Sequence, residues 1–435
     1  MTQLIEKNRF KALPFNSSDS KPYELGKQKQ MLLIIPVPFR VKDNQLLFES
    51  QACNGLERWA DNFESVIVAA PVIPEEFAEK EKAMIWQNTD TLAKPERFEF
   101  VPLPWAYSPL KFLSTYSSVR ATLAQLISRS HYLQFAIGSI FGDWAAIGAL
   151  EAKKQGRAYA IHTDRVEHRV MRRTSEGAKL KTRIKAKVMA PLMANYHQQI
   201  IKGATLGLWN GQDCYDAYSP FCENSHLIHD IHTKASDIIS SDQLSEKVNQ
   251  AKSDETIRIC YAGRLDPMKA PFDWVKAVET ALNMGVKLHA TWLGDGSLFA
   301  ETKAMISDRG LEDAIELLGF ESDRQKLLKR IRESHIMLFT HVTPESPRCL
   351  IEALTNGTPI VGYESPYVHQ LLKEFGGGTF VPVNQWQQLG EVLVSLSQDR
   401  QILMEMTEQA GINGKRFHDQ KVFEERSNLI KTHLA

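Results

Sequence analysis

Charge of one sign is missing from this 435-residue chain: 52 Lys and Arg balance 52 Asp and Glu. A chain that binds nucleic acid along its length is usually basic, so no nucleic-acid partner is expected. Cysteine is scarce. The five residues (Cys53, Cys214, Cys222, Cys260 and Cys349) are scattered, odd in number and form no CxxC pair. That excludes a disulfide framework and a cysteine-based zinc site, and it fits a reducing cytoplasm. Long apolar runs are also lacking. The longest, Met31–Val37 and Val66–Val72, fall far below the roughly 18 residues that a membrane span needs, so any membrane contact should be peripheral. Residues 1–30 are polar and mixed in charge, without the apolar region of a secretory leader. Residues 1–28 read as a flexible tail. Also absent is a D-x-D triad, so neither a bound metal nor any other cofactor is expected.

What is present is alternation. Hydrophobic residues make up 43% of the chain, ample for two or three domains at roughly 100–200 residues each. Apolar segments at 31–38, 65–73, 98–103, 132–138, 158–162 and 205–210 read as strands. Segments at 51–62, 109–129, 141–155 and 178–201 read as helices. Strands apolar on both faces, alternating with helices, predict a parallel sheet covered on both sides. Residues 236–256 are polar and rich in Ser and Asp, which predicts a linker. A second series follows, with strands at 256–263, 287–294, 315–320, 335–341 and 358–363. Its helices fall at 271–284, 297–309, 322–333, 347–356 and 366–374, and the stretch from Val383 onward is mostly helical. The domains expected are 29–235 and 257–410, with a C-terminal helix at 411–435 packing back on the first. Such sheets bind ligands beyond the carboxyl ends of their strands, so the cleft between two of them is the natural site.

Three strand-to-helix turns carry phosphate-facing chemistry. In AGRLDPMKAP (262–271), Gly263 allows a tight turn, and Arg264 and Lys269 are cations suited to phosphate oxygens. Pro271 suits the first turn of a helix. In WLGDGSL (292–298), Gly294 and Gly296 let the backbone approach a ligand; a plain turn is the alternative. In TPESPRCLIEALTNGTPIVGYESPY (343–367), Pro347 starts a helix and Asn356-Gly357 ends it. Glu345 and Glu352 lie seven apart, nearly on one face if both are helical. Two carboxylates would repel a phosphate, so in a binding site they should face neutral hydroxyls. Otherwise Glu345 is a favourable charge at a helix start and Glu352 sits on a solvated face.

Together these motifs resemble the donor-binding domain of retaining GT-B glycosyltransferases of family 4 (glycosyl transferases group 1). The match spans about 257–375 and includes IEALTNGTPIVG (351–362). The resemblance implies an α/β fold of GT-B type, two Rossmann-like domains facing each other across a cleft. It implies that Arg264 and Lys269, with the Gly263, Gly294 and Gly296 turns, hold the diphosphate of a nucleoside-diphosphate sugar. Glu352 would bind ribose, and Ser346, Pro347, Arg348, Cys349 and Leu350 would border the sugar. This chain departs from the family in two places. Ala270 replaces a usual glycine, and the first glutamate of the family's E-x7-E motif falls on Pro344, leaving E-x6-E with Glu345. Glu345 takes the catalytic role only if the loop is remodelled; otherwise backbone groups make the sugar contact.

The first domain resembles the family more weakly. Pro36, Pro38, Phe39 and Arg40 stand where the family has a glycine pair, with Arg40 bordering the cleft. His162 ends a predicted strand where many members carry a histidine near the transferred sugar, which marks it as a catalytic candidate. Asp164, Arg165, Asn210, Gln212 and Asp213 are acceptor or cleft candidates, with capped loops as the plain alternative. Asp143 follows a strand and can cap the next helix. Nine cations between Arg165 and Lys187 stand against Glu167 and Glu176. They could face an anionic membrane or a lipid diphosphate, or simply solvent. The expected function is transfer of a sugar from a nucleoside-diphosphate donor to a glycan or lipid-linked acceptor hydroxyl with retention, in cell-surface polysaccharide or glycolipid synthesis. The expected location is cytoplasmic or at the inner membrane face. The rivals are a nucleotide-sugar epimerase of the same fold and a non-catalytic nucleotide-sugar-binding protein.

Overall fold

A computed structural model describes residues 29–80, 84–343 and 345–435. The expected tail and Pro344 lie outside the described residues. Two parallel sheets dominate. The first runs in the order Ser225–Ile228, Leu206–Asn210, Ala160–Thr163, Tyr132–Ala136, Gln30–Ile34, Ser65–Pro71, Phe98–Leu103. The second runs Ile315–Gly319, Leu288–Leu293, Ile257–Ala262, Ile336–Phe339, Ile360–Tyr363, Gly378–Val381. All neighbouring strands within each are parallel. In both, the chain starts mid-sheet, builds outward to one edge, then returns to the other side of its first strand. That reversal opens a crevice at the carboxyl ends of Ile257–Ala262 and Ile336–Phe339.

The central strands are buried on both faces, as Met31–Ile34 and Ile336–Phe339 show. Two indoles in the second core keep their N–H groups bonded. Trp274 Nε1 donates to Leu338 O at 3.0 Å and Trp292 Nε1 to Gly263 O at 2.8 Å. The second bond also anchors the turn after Ile257–Ala262.

Several expectations are corrected. The first strand stops at Ile34 rather than 38, because Pro36 and Pro38 have no N–H to donate to a ladder. The chain then forms a small antiparallel sheet from Arg40–Lys42, Gln45–Glu49 and Trp86–Asn88. The linker segment contains a helix, Ser241–Ser253, with a Ser240/Gln243 capping box. It packs on helix Arg400–Gly414 and belongs to the second domain's structure. Ser225–Ile228 and Gly378–Val381 are additional strands. The helix after Glu345 begins only at Arg348, so Glu345 and Glu352 do not share a helical face.

The final helix, Asp419–Leu434, crosses to the first domain. Phe423 meets Trp59 edge-on at 5.0 Å, and the Arg426 guanidinium lies 5.0 Å above the same indole. Ile430 and Leu434 join the core that holds Met31 and Leu206. Among the described residues no helix is long and apolar enough to cross a membrane.

Candidate functional site

The turn Gly263–Asp266 and the turn Gly294–Ser297 interlock at the crevice of the second sheet. Leu265 N donates to Asp295 O at 3.1 Å, and Leu298 N to Leu265 O at 2.8 Å. A Cβ on Gly294 would sit 2.0 Å from Gly263 O, and one on Gly296 would sit 2.6 Å from Leu265 O. These glycines therefore serve the packing of the two turns, which in turn fixes where Arg264 projects. The Arg264 side chain is 59% exposed, with Asp266 at 3.4 Å.

Lys269 is buried and follows from the same turn. Its Nζ donates to Glu345 Oε1 at 2.6 Å. Glu345 also accepts from Thr343 Oγ1 at 3.3 Å, and His341 Nδ1 lies 3.4 Å away. His341 Nε2 is 2.6 Å from the Tyr261 hydroxyl. Burial holds the His341 imidazole well below its usual range, with Lys269 adding to the effect, and burial pushes the Tyr261 hydroxyl well above its own. The tyrosine therefore keeps its proton and donates to Nε2. The neutral imidazole then carries its hydrogen on Nδ1, turned toward the carboxylate. The acidic loop is thus held by the Lys269–Glu345 bond, with the Tyr261–His341 pair packed beside it.

Arg264, Lys269, Gly263, Gly294, Pro347, Arg348, Cys349 and Glu352 line one cavity of about 330 Å³. This volume sits at the low end of the roughly 300–1,000 Å³ of small-molecule sites. Glu352 Oε1 accepts from Arg324 Nη1 at 2.8 Å, leaving its second oxygen for another donor. Burial pushes the Cys349 thiol up to about 12, so no thiolate nucleophile stands in the wall. Leu350 is buried beneath it and Ser346 faces the first domain, where its Oγ donates to Asn210 O at 2.9 Å. An isolated antiparallel bridge joins Arg165 to Glu345, so the acidic loop is held from both domains.

The structure does not bring the remaining first-domain candidates to this cavity. Arg40 is engaged by Glu75 through two hydrogen bonds. His162 is buried with Nε2 3.2 Å from Asp164; burial lowers its basicity while Asp164 opposes, which leaves the ring neutral. Asn210 Oδ1 accepts from Asp230 N at 3.0 Å. Gln212 binds Asp216 and lines a separate surface cavity with Lys373 and Arg416. Burial pushes the Asp213 carboxyl up to about 6. Asp143 caps its helix through Ala146 N and also binds Gly138 and Ser139 N, each at 2.9 Å.

Sequence reasoning missed four contributors. Gln51 is the first-domain side chain at the cavity, and Arg324 braces Glu352. His341 ends a strand, the same signal that singled out His162. Asp230 stands 4.0 Å from Arg348 and 3.7 Å from Arg426. Burial alone would raise its carboxyl, but His232, Arg348 and Arg426 hold it well below the usual range. Among the described residues no cluster of three or more His, Cys, Asp or Glu is arranged to hold a metal ion.

Two interlocked glycine turns, with Arg264, Lys269 and Glu352, stand at the switch point of a parallel sheet that faces a second such domain, the arrangement of a GT-B fold. Residues 242–417 match the family described as "Glycosyl transferases group 1". Among curated proteins the chain is similar to the amylovoran biosynthesis glycosyltransferase AmsK of Erwinia amylovora. The two are 28% identical over 150 residues, which cover 33% of this chain and 37% of that protein. The chain spans less than half the length of each curated relative it matches. Among solved structures it resembles Anabaena HepE in complex with UDP-glucose, with TM-score 0.61 and 16% identity over 93% of this chain and 100% of that one. It also resembles sucrose-phosphate synthase from Thermosynechococcus elongatus, with TM-score 0.64 and 12% identity over 93% and 99%.

Proposed function

We propose that the protein transfers a hexose-type sugar from a nucleoside-diphosphate donor to an acceptor hydroxyl, with retention at the anomeric carbon. The cavity that gathers Arg264, Lys269 and Glu352 carries this reading. Arg264 and Lys269 suit a diphosphate, Glu352 suits ribose hydroxyls, and the Ser346–Leu350 segment leads toward the transferred sugar. HepE, of the same fold, was solved with UDP-glucose, which supports a nucleotide-sugar donor.

In this reading the charge that develops on the departing diphosphate is met by Arg264, Lys269 and the turn amides, and no metal is required. The bond from the anomeric carbon to the donor phosphate breaks as the acceptor oxygen forms its own bond on the same face. The departing phosphate oxygen takes the acceptor proton. Glu345, braced by Lys269 and His341, serves as the acidic contact to the sugar despite its shifted position. Closure of the domains excludes water from this step. The acceptor is a glycan or lipid-linked sugar of a cell-surface polysaccharide or glycolipid, a placement supported by the amylovoran assignment of AmsK.

The test is incubation with a panel of nucleoside-diphosphate sugars and membrane lipid extract, with and without EDTA, the product's anomeric configuration being read by NMR. A retained configuration, unchanged by EDTA, is expected. An inverted product, or donor epimerised without transfer, would replace this reading, and donor binding with no turnover would point to a non-catalytic binding protein.

A further inference from the structure

Helix Leu180–Ile201 is amphipathic in an unusual sense. Its inner face (Ala186, Ala190, Met193, His197, Ile200) is buried. At about 100° per residue, Leu180, Ile184, Val188 and Leu192 fall on a band roughly opposite that inner face. All four are exposed. Lys181 and Lys185 border the band on one side, Arg183 and Lys187 on the other, and the helix contains no Asp or Glu. A solvated face would not carry four aliphatic residues in register, since soluble surfaces scatter them singly.

A second helix adds to the same layer. Pro109–Arg129 and Leu180–Ile201 both pack against the short helix Trp144–Lys154. Pro109–Arg129 follows strand Phe98–Leu103, and Leu180–Ile201 follows helix Glu167–Ser175. Leu110 and Leu113, at the start of the former, are 83% and 71% exposed, and Leu180 is 69% exposed. These are the three most exposed large hydrophobic side chains among the described residues. Two cations nearer the start of the basic segment are engaged elsewhere. Arg165 binds Glu167, and Arg173 binds Glu176 and Val342 O.

We propose that the outer face of Leu180–Ile201, with Leu110 and Leu113, is an interfacial docking surface for an anionic membrane. Charge complementarity selects this occupant. A lysine- and arginine-bordered aliphatic band matches acidic headgroups over acyl chains, whereas the like charges of a second copy would oppose it. The proposal goes beyond the transfer reading and stands without it.

The test is flotation of the full chain with phosphatidylcholine vesicles and with the same vesicles carrying phosphatidylglycerol. The account expects at least about tenfold stronger partition to the anionic vesicles, weakening as salt rises. Ile184→Glu with Val188→Glu should reduce it to the phosphatidylcholine level, and Lys181→Glu with Lys185→Glu should reduce it roughly tenfold. Both double variants should keep the wild-type melting temperature, because these side chains are exposed. They should also keep any donor-induced shift measured without lipid, which separates this proposal from the transfer reading. Equal partition to both vesicle types overturns it, as does undiminished binding by the Ile184/Val188 variant. A dimer that this variant dissociates would assign the face to a second copy instead.

Discussion

Ala270 occupies left-handed backbone, with φ 43° and ψ 58°, at the point where the Lys269 turn hands over to helix Pro271–Asn283. An L-residue there bears roughly 1–2 kcal/mol of strain, partly offset because glycine would loosen the unfolded chain. Ala270→Gly is expected to stabilise the protein by up to about 1 kcal/mol, read as a small rise in melting temperature; a clear fall would contradict this account of the turn. Asp213 is a second residue-level test. Burial raises its carboxyl from 3.8 to about 6, so the folded state holds a proton that the unfolded state has released. Stability should therefore fall as pH rises from about 4 to about 6, the cost being fully present above that window. Asp213→Asn should gain about 2–3 kcal/mol at pH 7 and almost nothing below pH 4. Equal gains at both pH values in urea titrations would rule out a titration effect. Arg264 and Lys269 were legible in the sequence because they stand at a strand-to-helix turn, and Glu352 because it lies in the helix after such a turn, each in a spaced motif. Gln51, Arg324 and Asp230 were not, since only the tertiary fold carries them to the cavity or its border.

The elements show a similar division. Buried parallel strands announce themselves as apolar runs, and those at 65–71, 98–103 and 257–262 were legible almost residue for residue. The strands that escaped notice, Ser225–Ile228 and Gly378–Val381, are sheet edges with mostly half-buried side chains, and an edge needs little hydrophobic signal. Helix Ser241–Ser253 was hidden for another reason. Its buried residues are Leu244, Lys247 and Ala251, a helical stripe interrupted by a charge. Lys247 earns its burial by bonding: Nζ donates to Arg332 O at 2.6 Å, Thr358 Oγ1 at 2.7 Å and Asn356 O at 3.3 Å. It closes off the ends of two neighbouring helices. Lys247→Ala should cost about 2–4 kcal/mol by stranding these acceptors, measured by chemical denaturation. A loss under 1 kcal/mol on the same scale would mean that water replaces the ammonium.

At the scale of the whole molecule, the two domains are tied at the acidic loop and by the last helix. The Arg165–Glu345 bridge, the Ser346–Asn210 bond and the Arg173–Val342 bond converge on residues 342–346. The same loop carries the carboxylate that binds Lys269, so the cation proposed for the diphosphate is paired within the protein in this structure. A donor must compete with Glu345 for Lys269 or bind beside the pair. Two α/β domains and their cleft were legible from the alternation of strand and helix. The convergence of both domains on one loop was not, because it depends on side chains far apart in the chain. The central claim is that this cavity binds a nucleoside diphosphate through Lys269, and calorimetric titration of UDP and GDP into the wild type and Lys269→Ala tests it most directly. Losing a charge-assisted contact of about 1.5–3 kcal/mol should weaken binding roughly 10- to 100-fold, and the free protein should melt lower because Glu345 loses its partner. Equal affinity in the two proteins would contradict the account.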